Sequence, residues 1–164
     1  MATTAVLHRE PQAATRGAPS ATKPRDAGAP APIIAGVDGT AGGLVAARTA
    51  IAWAKQLAAP IVFVFVRRPP VDGLGEPFYG RRVEAETLRA RSALSAALAA
   101  AETSGVNASA EILDGPPARR LSELADLRKA RLLVTGPRKR RLRRSVSRMV
   151  LSTADRPVLV AAAA

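Results

Sequence analysis

The segment Ile61-Val62-Phe63-Val64-Phe65-Val66 constrains the fold more than any other stretch of the chain. Its six apolar residues are β-branched or aromatic and show no alternation, so a strand here must be buried on both faces. Strands of that kind belong to parallel sheets with helices on either side. The preceding sequence agrees. Over residues 41–59, Ala47, Ala50, Ile51, Ala54, Leu57 and Ala58 share one helical face, with Arg48, Lys55 and Gln56 turned away. Pro60 closes that stretch because proline cannot continue a helix. Before it, Ile33-Ile34-Ala35-Gly36-Val37-Asp38 is a short apolar run ending in a carboxylate. Strand, helix, strand is the first unit.

The alternation continues. Residues 67–80 hold Pro69, Pro70, Gly73, Gly75, Pro77 and Gly80 and read as a loop over the sheet edge. A long helix is expected from about Arg81 to Thr103, its inner face Val83, Thr87, Ala90, Leu94, Ala97 and Ala101, with Arg81, Arg82, Glu84 and Arg89 toward solvent. Gly105 is placed to end it. Asn107 to Leu113 reads as a strand of alternating character, followed by Asp114-Gly115-Pro116-Pro117. Leu121, Leu124, Ala125 and Arg128 fall at helical offsets. Leu132 to Gly136 is the fourth strand, Ser145 to about Thr153 a short helix, and Pro157 to Ala162 the fifth strand. Five strands alternating with four helices make one doubly wound α/β domain over residues 32–164, with a mainly parallel sheet. Right-handed crossovers put helices on both faces. Ligands in such sheets bind outside the carboxyl ends of the strands, here near Asp38, Val66 and Gly136.

Residues 1–31 differ in texture. Their large aliphatic residues are Val6 and Leu7 alone, amid Ala, Pro, Thr, Arg and Gly. Such a segment cannot offset an ordering entropy of ~1–2 kcal/mol per residue, so a disordered tail is expected. It lacks the apolar block of a secretory signal. No stretch approaches the roughly 18 apolar residues of a membrane helix, and a cytoplasmic protein is expected. The chain has no Cys and a single histidine, His8 in the tail. Disulfides and Cys- or His-based metal sites are therefore excluded. No P-loop lysine motif, GxGxxG, nucleophile elbow or domain histidine is present, so no catalytic residue is assigned and no enzyme is expected.

The pieces around the strand ends, taken in order, resemble the universal stress protein family. That family opens its domain with V-D-G-S/T, matched by Val37-Asp38-Gly39-Thr40. Gly115-Pro116-Pro117 before Leu121 resembles the start of its third helix. Ser145-Val146-Ser147 and Pro157-Val158-Leu159-Val160 resemble its close. The likeness spans roughly residues 32–162. It implies a strand order of 3-2-1-4-5 and a homodimer along the fifth strand. Val158-Leu159-Val160 followed by Ala161 to Ala164 would indeed leave an apolar sheet edge if unpaired; folding back or fraying of the terminal alanines is the other reading.

Many members of that family bind ATP through a loop after the fourth strand, read as G-x-x-G, nine residues, then G-S/T. Glycines there let backbone N–H groups close around phosphates, and the next helix adds its dipole. In this chain Gly136 matches, Lys139 and Arg144 stand where the second and third glycines would, and the loop is five residues shorter. Pro137 also removes a backbone donor. ATP binding is accordingly expected to be weak or lost, with an ordinary ATP-binding member as the alternative. The resemblance carries three further elements over. Asp38 matches the carboxylate near adenine and ribose, Val66 the position whose backbone flanks adenine, and Ser145 and Ser147 offer hydroxyls and amides at a helix start. Each also has a plain reading: Asp38 as a turn former, Ser145 as an N-cap, Val66 as core.

Lys and Arg number 25 against 13 Asp and Glu, a net charge of +12. Arg outnumbers Lys 21 to 4, as a GC-rich coding bias would produce. The charge is nonetheless concentrated, with seven cations in the eleven residues from Arg138 to Arg148 and no acid. Three readings are open. Arg138 and its neighbours clamp a nucleotide or other phosphate compound in place of the lost backbone contacts. Alternatively the loop is a polyanion-binding module that takes nucleic acid or an anionic surface non-specifically, without aromatic residues for base stacking. The third reading is a solvated basic loop. Taken with the resemblance, the expected function is that of a non-enzymatic stress-response binding module.

Overall fold

A computed structural model describes residues 30–68, 78–137 and 146–161 of the 164-residue chain. Its elements run β1 (Ile33–Gly36), α1 (Ala41–Leu57), β2 (Ile61–Arg67), α2 (Phe78–Thr103), β3 (Ala108–Asp114), α3 (Pro117–Leu127), β4 (Leu132–Thr135), α4 (Val146–Thr153) and β5 (Val158–Val160). The five strands form one sheet in the order β3-β2-β1-β4-β5, every pairing parallel. Both the expected fold class and the expected strand order are thus found.

Residues Ile61 to Phe65 are all buried, as a strand with no polar face requires. Period-2 alternation divides the neighbours of β1 and β2 between two cores. Ile33, Ala35, Ile61, Phe63 and Phe65 pack with Ala47, Ala50, Ala54 of α1 and Ala90, Leu94, Ala97 of α2. On the other face Ile34, Val62, Val64 and Leu133 pack with Leu121, Leu124, Ala125 of α3 and Val150 of α4. Each Ile, Val, Leu or Phe so buried contributes roughly 1.5–3 kcal/mol. The alanines of α1 and α2 contribute less area, but their small side chains let those helices lie close on the sheet.

Helix ends follow local chemistry. Gly105 (φ 68°) ends α2 in a Schellman arrangement, its N–H donating to Glu102 O and that of Val106 to Ala101 O, each at 2.9 Å. Three sequence expectations shift. Ala58 is exposed rather than on the inner face of α1, because it caps that helix in the left-handed region (φ 47°). Helix α2 begins at Phe78, a turn ahead of Arg81, with Gly80 inside it. A first-turn N–H has no helical partner to lose, so glycine is tolerated there at only a propensity cost. Strand β5 ends at Val160, although the ladder adds one more bond from Ala161 N–H to Thr135 O at 2.9 Å. The rest of the expected 67–80 loop and the tail to residue 29 lie outside the described residues. Among the described residues no helix is long and apolar enough to cross a membrane.

Candidate functional site

Strand order reverses between β1 and β4, since β1 leads by way of α1 to β2 on one side while β4 lies on the other. At the carboxyl ends of β1, β2 and β4 the chain leaves a cavity of about 270 Å³.

One wall is the turn from β1 into α1. Asp38 Oδ1 accepts from the Thr40 N–H at 3.0 Å and from the Thr40 hydroxyl at 2.6 Å. Thr40 in turn caps α1, its Oγ1 accepting from the Gly43 N–H at 3.3 Å. Gly39 sits at φ 72°, the left-handed region that the turn requires. The plain reading of Asp38 as a turn former therefore holds, and the same carboxylate also lines the cavity.

The adjoining wall is the exit of β4. A Cβ on Gly136 would fall 2.1 Å from the Gly42 carbonyl oxygen, so only glycine lets the two backbones pass. Ser147 Oγ donates to the Gly136 carbonyl at 2.9 Å. Pro117 and Leu121 of α3 and Val146 of α4 close the apolar side; Arg68, Glu86 and Arg89 stand on the α2 side.

Arg67 fixes that last side. Its Nε and Nη2 reach Asp114 Oδ1 and Oδ2, each at 2.8 Å, and its Nη1 donates to Thr87 Oγ1 at 3.0 Å. The guanidinium thereby joins β2, β3 and α2. Hydrogen bonding to Asp114 raises the Arg67 pKa against the opposite pull of partial burial.

Of the residues singled out from sequence, the structure brings Asp38, Val66, Gly136 and Ser147 onto this one cavity. Arg138 and Ser145 lie outside the described residues. Sequence reasoning did not select Thr135, Leu121, Arg68, Glu86 and Arg89 for the site. Two of them had a legible signal, because Thr135 immediately precedes Gly136 and Arg68 lies two residues past Val66, at strand ends already marked as ligand-facing. Among the described residues no group of His, Asp and Glu is arranged to hold a metal ion.

With that geometry in hand, comparison with known proteins is decisive for the family. The family model for universal stress proteins matches residues 31–162. The chain belongs to the universal stress protein family. Among solved structures, it is similar to a universal stress protein family member from Burkholderia pseudomallei, with 26% identity, 79% of this chain and 94% of that one covered, and a TM-score of 0.68. It is also similar to a universal stress protein solved in complex with cAMP, at 25% identity over 80% of this chain and 96% of that one, TM-score 0.60. A universal stress protein from Archaeoglobus fulgidus shares the fold at 23% identity, 80% and 93% coverage and TM-score 0.66. A search of curated proteins finds no match.

Proposed function

We propose that this universal stress protein is a non-enzymatic regulatory module whose crevice holds an adenine nucleotide mainly by its nucleoside end, with the triphosphate grip reduced. The observation that carries the reading is the unequal equipment of the two walls. The nucleoside side retains an open cavity, the Asp38 carboxylate and the Val66 strand end. At the phosphate side, Gly42 packs directly on Gly136, Pro137 has no N–H to give, and the Ser147 hydroxyl is already committed to the Gly136 carbonyl. Among the described residues, few donors are left there for three phosphates. A cavity of about 270 Å³ also lies at the small end for organic ligands, where sites run about 300–1,000 Å³. The structural neighbour solved with cAMP supports a mononucleotide as the ligand class.

Calorimetry on the full chain tests this directly. AMP is expected to bind at least as tightly as magnesium ATP, and Asp38→Ala to weaken AMP about tenfold, which is ~1.4 kcal/mol. ATP binding ten times tighter than AMP would defeat the reduced grip, and no nucleotide binding at millimolar concentration would defeat the crevice itself.

The same reading keeps a homodimer along β5. That strand is the sheet edge, and Val160 there is 36% exposed. Sedimentation equilibrium checks it: a monomer at tens of micromolar would remove this part of the reading.

A further inference from the structure

Three polar side chains are buried in the described part of the domain: Ser122, Ser147 and Thr135. Two are satisfied within the fold. The Ser122 hydroxyl meets that of Thr153 at 3.4 Å, and Ser147 donates to Gly136 O. Thr135 is different. It ends β4, is 4% exposed, and its Oγ1 has no hydrogen-bond partner among the described residues. The other buried atoms without a hydrogen bond, Asp126 Oδ1 and Arg156 Nε, at least face each other as an ion pair at 3.4 Å. Buried hydroxyls are nearly always bonded, because an unpaired one gives up its water and gains nothing.

Strand alternation says on which face of the sheet this side chain lies. Leu133, two residues earlier, packs into the α3/α4 core, so Thr135 projects from the same face of the sheet. At that level the face is the cavity, and Thr135 lines it together with Gly36, Val64, Leu121 and Val146. These neighbours are apolar. A valine would fill the same volume with no unpaired group.

We propose that the Thr135 hydroxyl is a specificity-determining contact of the crevice, hydrogen-bonding a heteroatom of the bound nucleotide's nucleoside part. The inference rests on the nucleotide reading above. A threonine hydroxyl both donates and accepts, so a ribose hydroxyl and a purine ring edge are both within its chemistry. Such a pairing would select among ligands, since one without the partner atom leaves the hydroxyl as unpaired as before.

The test uses the full chain as wild type, Thr135→Val and Thr135→Ser, with melting temperature read without ligand and affinity read by calorimetry with AMP. Thr135→Val is expected to melt at the same temperature or higher and to bind AMP about tenfold more weakly. Thr135→Ser is expected to keep affinity within about threefold, because the hydroxyl remains. Repeating the titrations with 2′-deoxy-AMP, 3′-deoxy-AMP and purine riboside monophosphate identifies the partner, since the analogue lacking it binds wild type and Thr135→Val alike. Equal AMP affinity of wild type and Thr135→Val overturns this proposal and leaves the nucleotide reading standing. A Thr135→Val variant that melts lower and loses affinity that serine fails to retain also overturns it, by marking a packing role. Wild-type protein that binds no AMP overturns the nucleotide reading and this inference together.

Discussion

The exits of β1 and β4 lie side by side at the crevice and are built on opposite principles. At β1 the turn is held by polar atoms, with Asp38 accepting twice from Thr40 and Thr40 capping α1. At β4 the chain is held by backbone crowding, with Gly136 against the Gly42 carbonyl and the Pro137 carbonyl against Gly42. Hydrogen bonds of the first kind can be shared with a ligand, because a carboxylate has several acceptor sites. Crowding of the second kind cannot be shared. Among the described residues it leaves Gly136 and Pro137 no room to shift toward a ligand without moving α1. Under the proposed function, this difference is what would let one crevice keep its nucleoside contacts with a reduced phosphate grip.

The steepest way to break this contrast is Gly136→Ala. The new Cβ would lie 2.1 Å from a backbone oxygen, which no side-chain rotation can relieve. The expected loss is about 3 kcal/mol or more in urea unfolding, with an unchanged m-value. A loss under about 1 kcal/mol would mean that the β4 exit yields easily, and the crowding argument would go with it.

Thr40→Ala probes the polar side. It removes the cap from α1 and one of the two Thr40 bonds to Asp38, so about 1 kcal/mol is expected, well below the Gly136 effect. Equal costs at the two positions would erase the contrast.

The exits of β2 and β3 are joined by a third device, the Arg67 fork on Asp114 and Thr87. Side-chain exposures of 27% for Arg67 and 59% for Asp114 leave the pair open to water. A double-mutant cycle over Arg67→Met and Asp114→Asn should return about 0.5–1 kcal/mol of coupling, falling with added salt. A coupling near zero would make the fork a passive neighbour of the crevice rather than part of its α2 wall.

How much of this was legible before the structure follows from the range of each interaction. The run Ile61 to Val66 announced a strand buried on both faces because its composition admits no solvent-facing side, and neighbouring strands and helices followed from periodicity. Asp38, Val66 and Gly136 were legible as a group because they end strands, and topology gathers strand ends at the switch point. The bond from Ser147 to the Gly136 carbonyl was not legible, because it spans a loop whose path local sequence does not dictate. Nor was the role of Gly42, which reads as an unremarkable first-turn residue until the β4 backbone is laid across it. Thr135 was passed over for a related reason. A threonine in a β-prone run reads as ordinary strand, and only the surrounding packing shows its hydroxyl without a partner.

The smallest expected effect lies just beyond the crevice, at the start of α3, where charge does what hydrogen bonds and crowding do elsewhere. Glu123 takes Arg119 Nε at 2.6 Å and Arg120 Nη1 at 3.0 Å, while Arg120 Nε also donates to the Asp114 carbonyl at the exit of β3. The hydrogen bond from Arg119 leads in holding the Glu123 carboxyl below its ordinary value, and Arg120 adds to it. A carboxyl lowered by folding adds stability at neutral pH, and loses it as acid protonates the group through its folded value. Glu123→Gln should therefore melt about 1–2 °C below wild type at pH 7, and the gap should close in acid below the carboxylate range. Because these side chains are solvated, salt should narrow the gap at neutral pH as well. A gap that persists unchanged into acid would show that Glu123 acts through packing, and would place the α3 start with the crowded β4 exit instead of with the charged one.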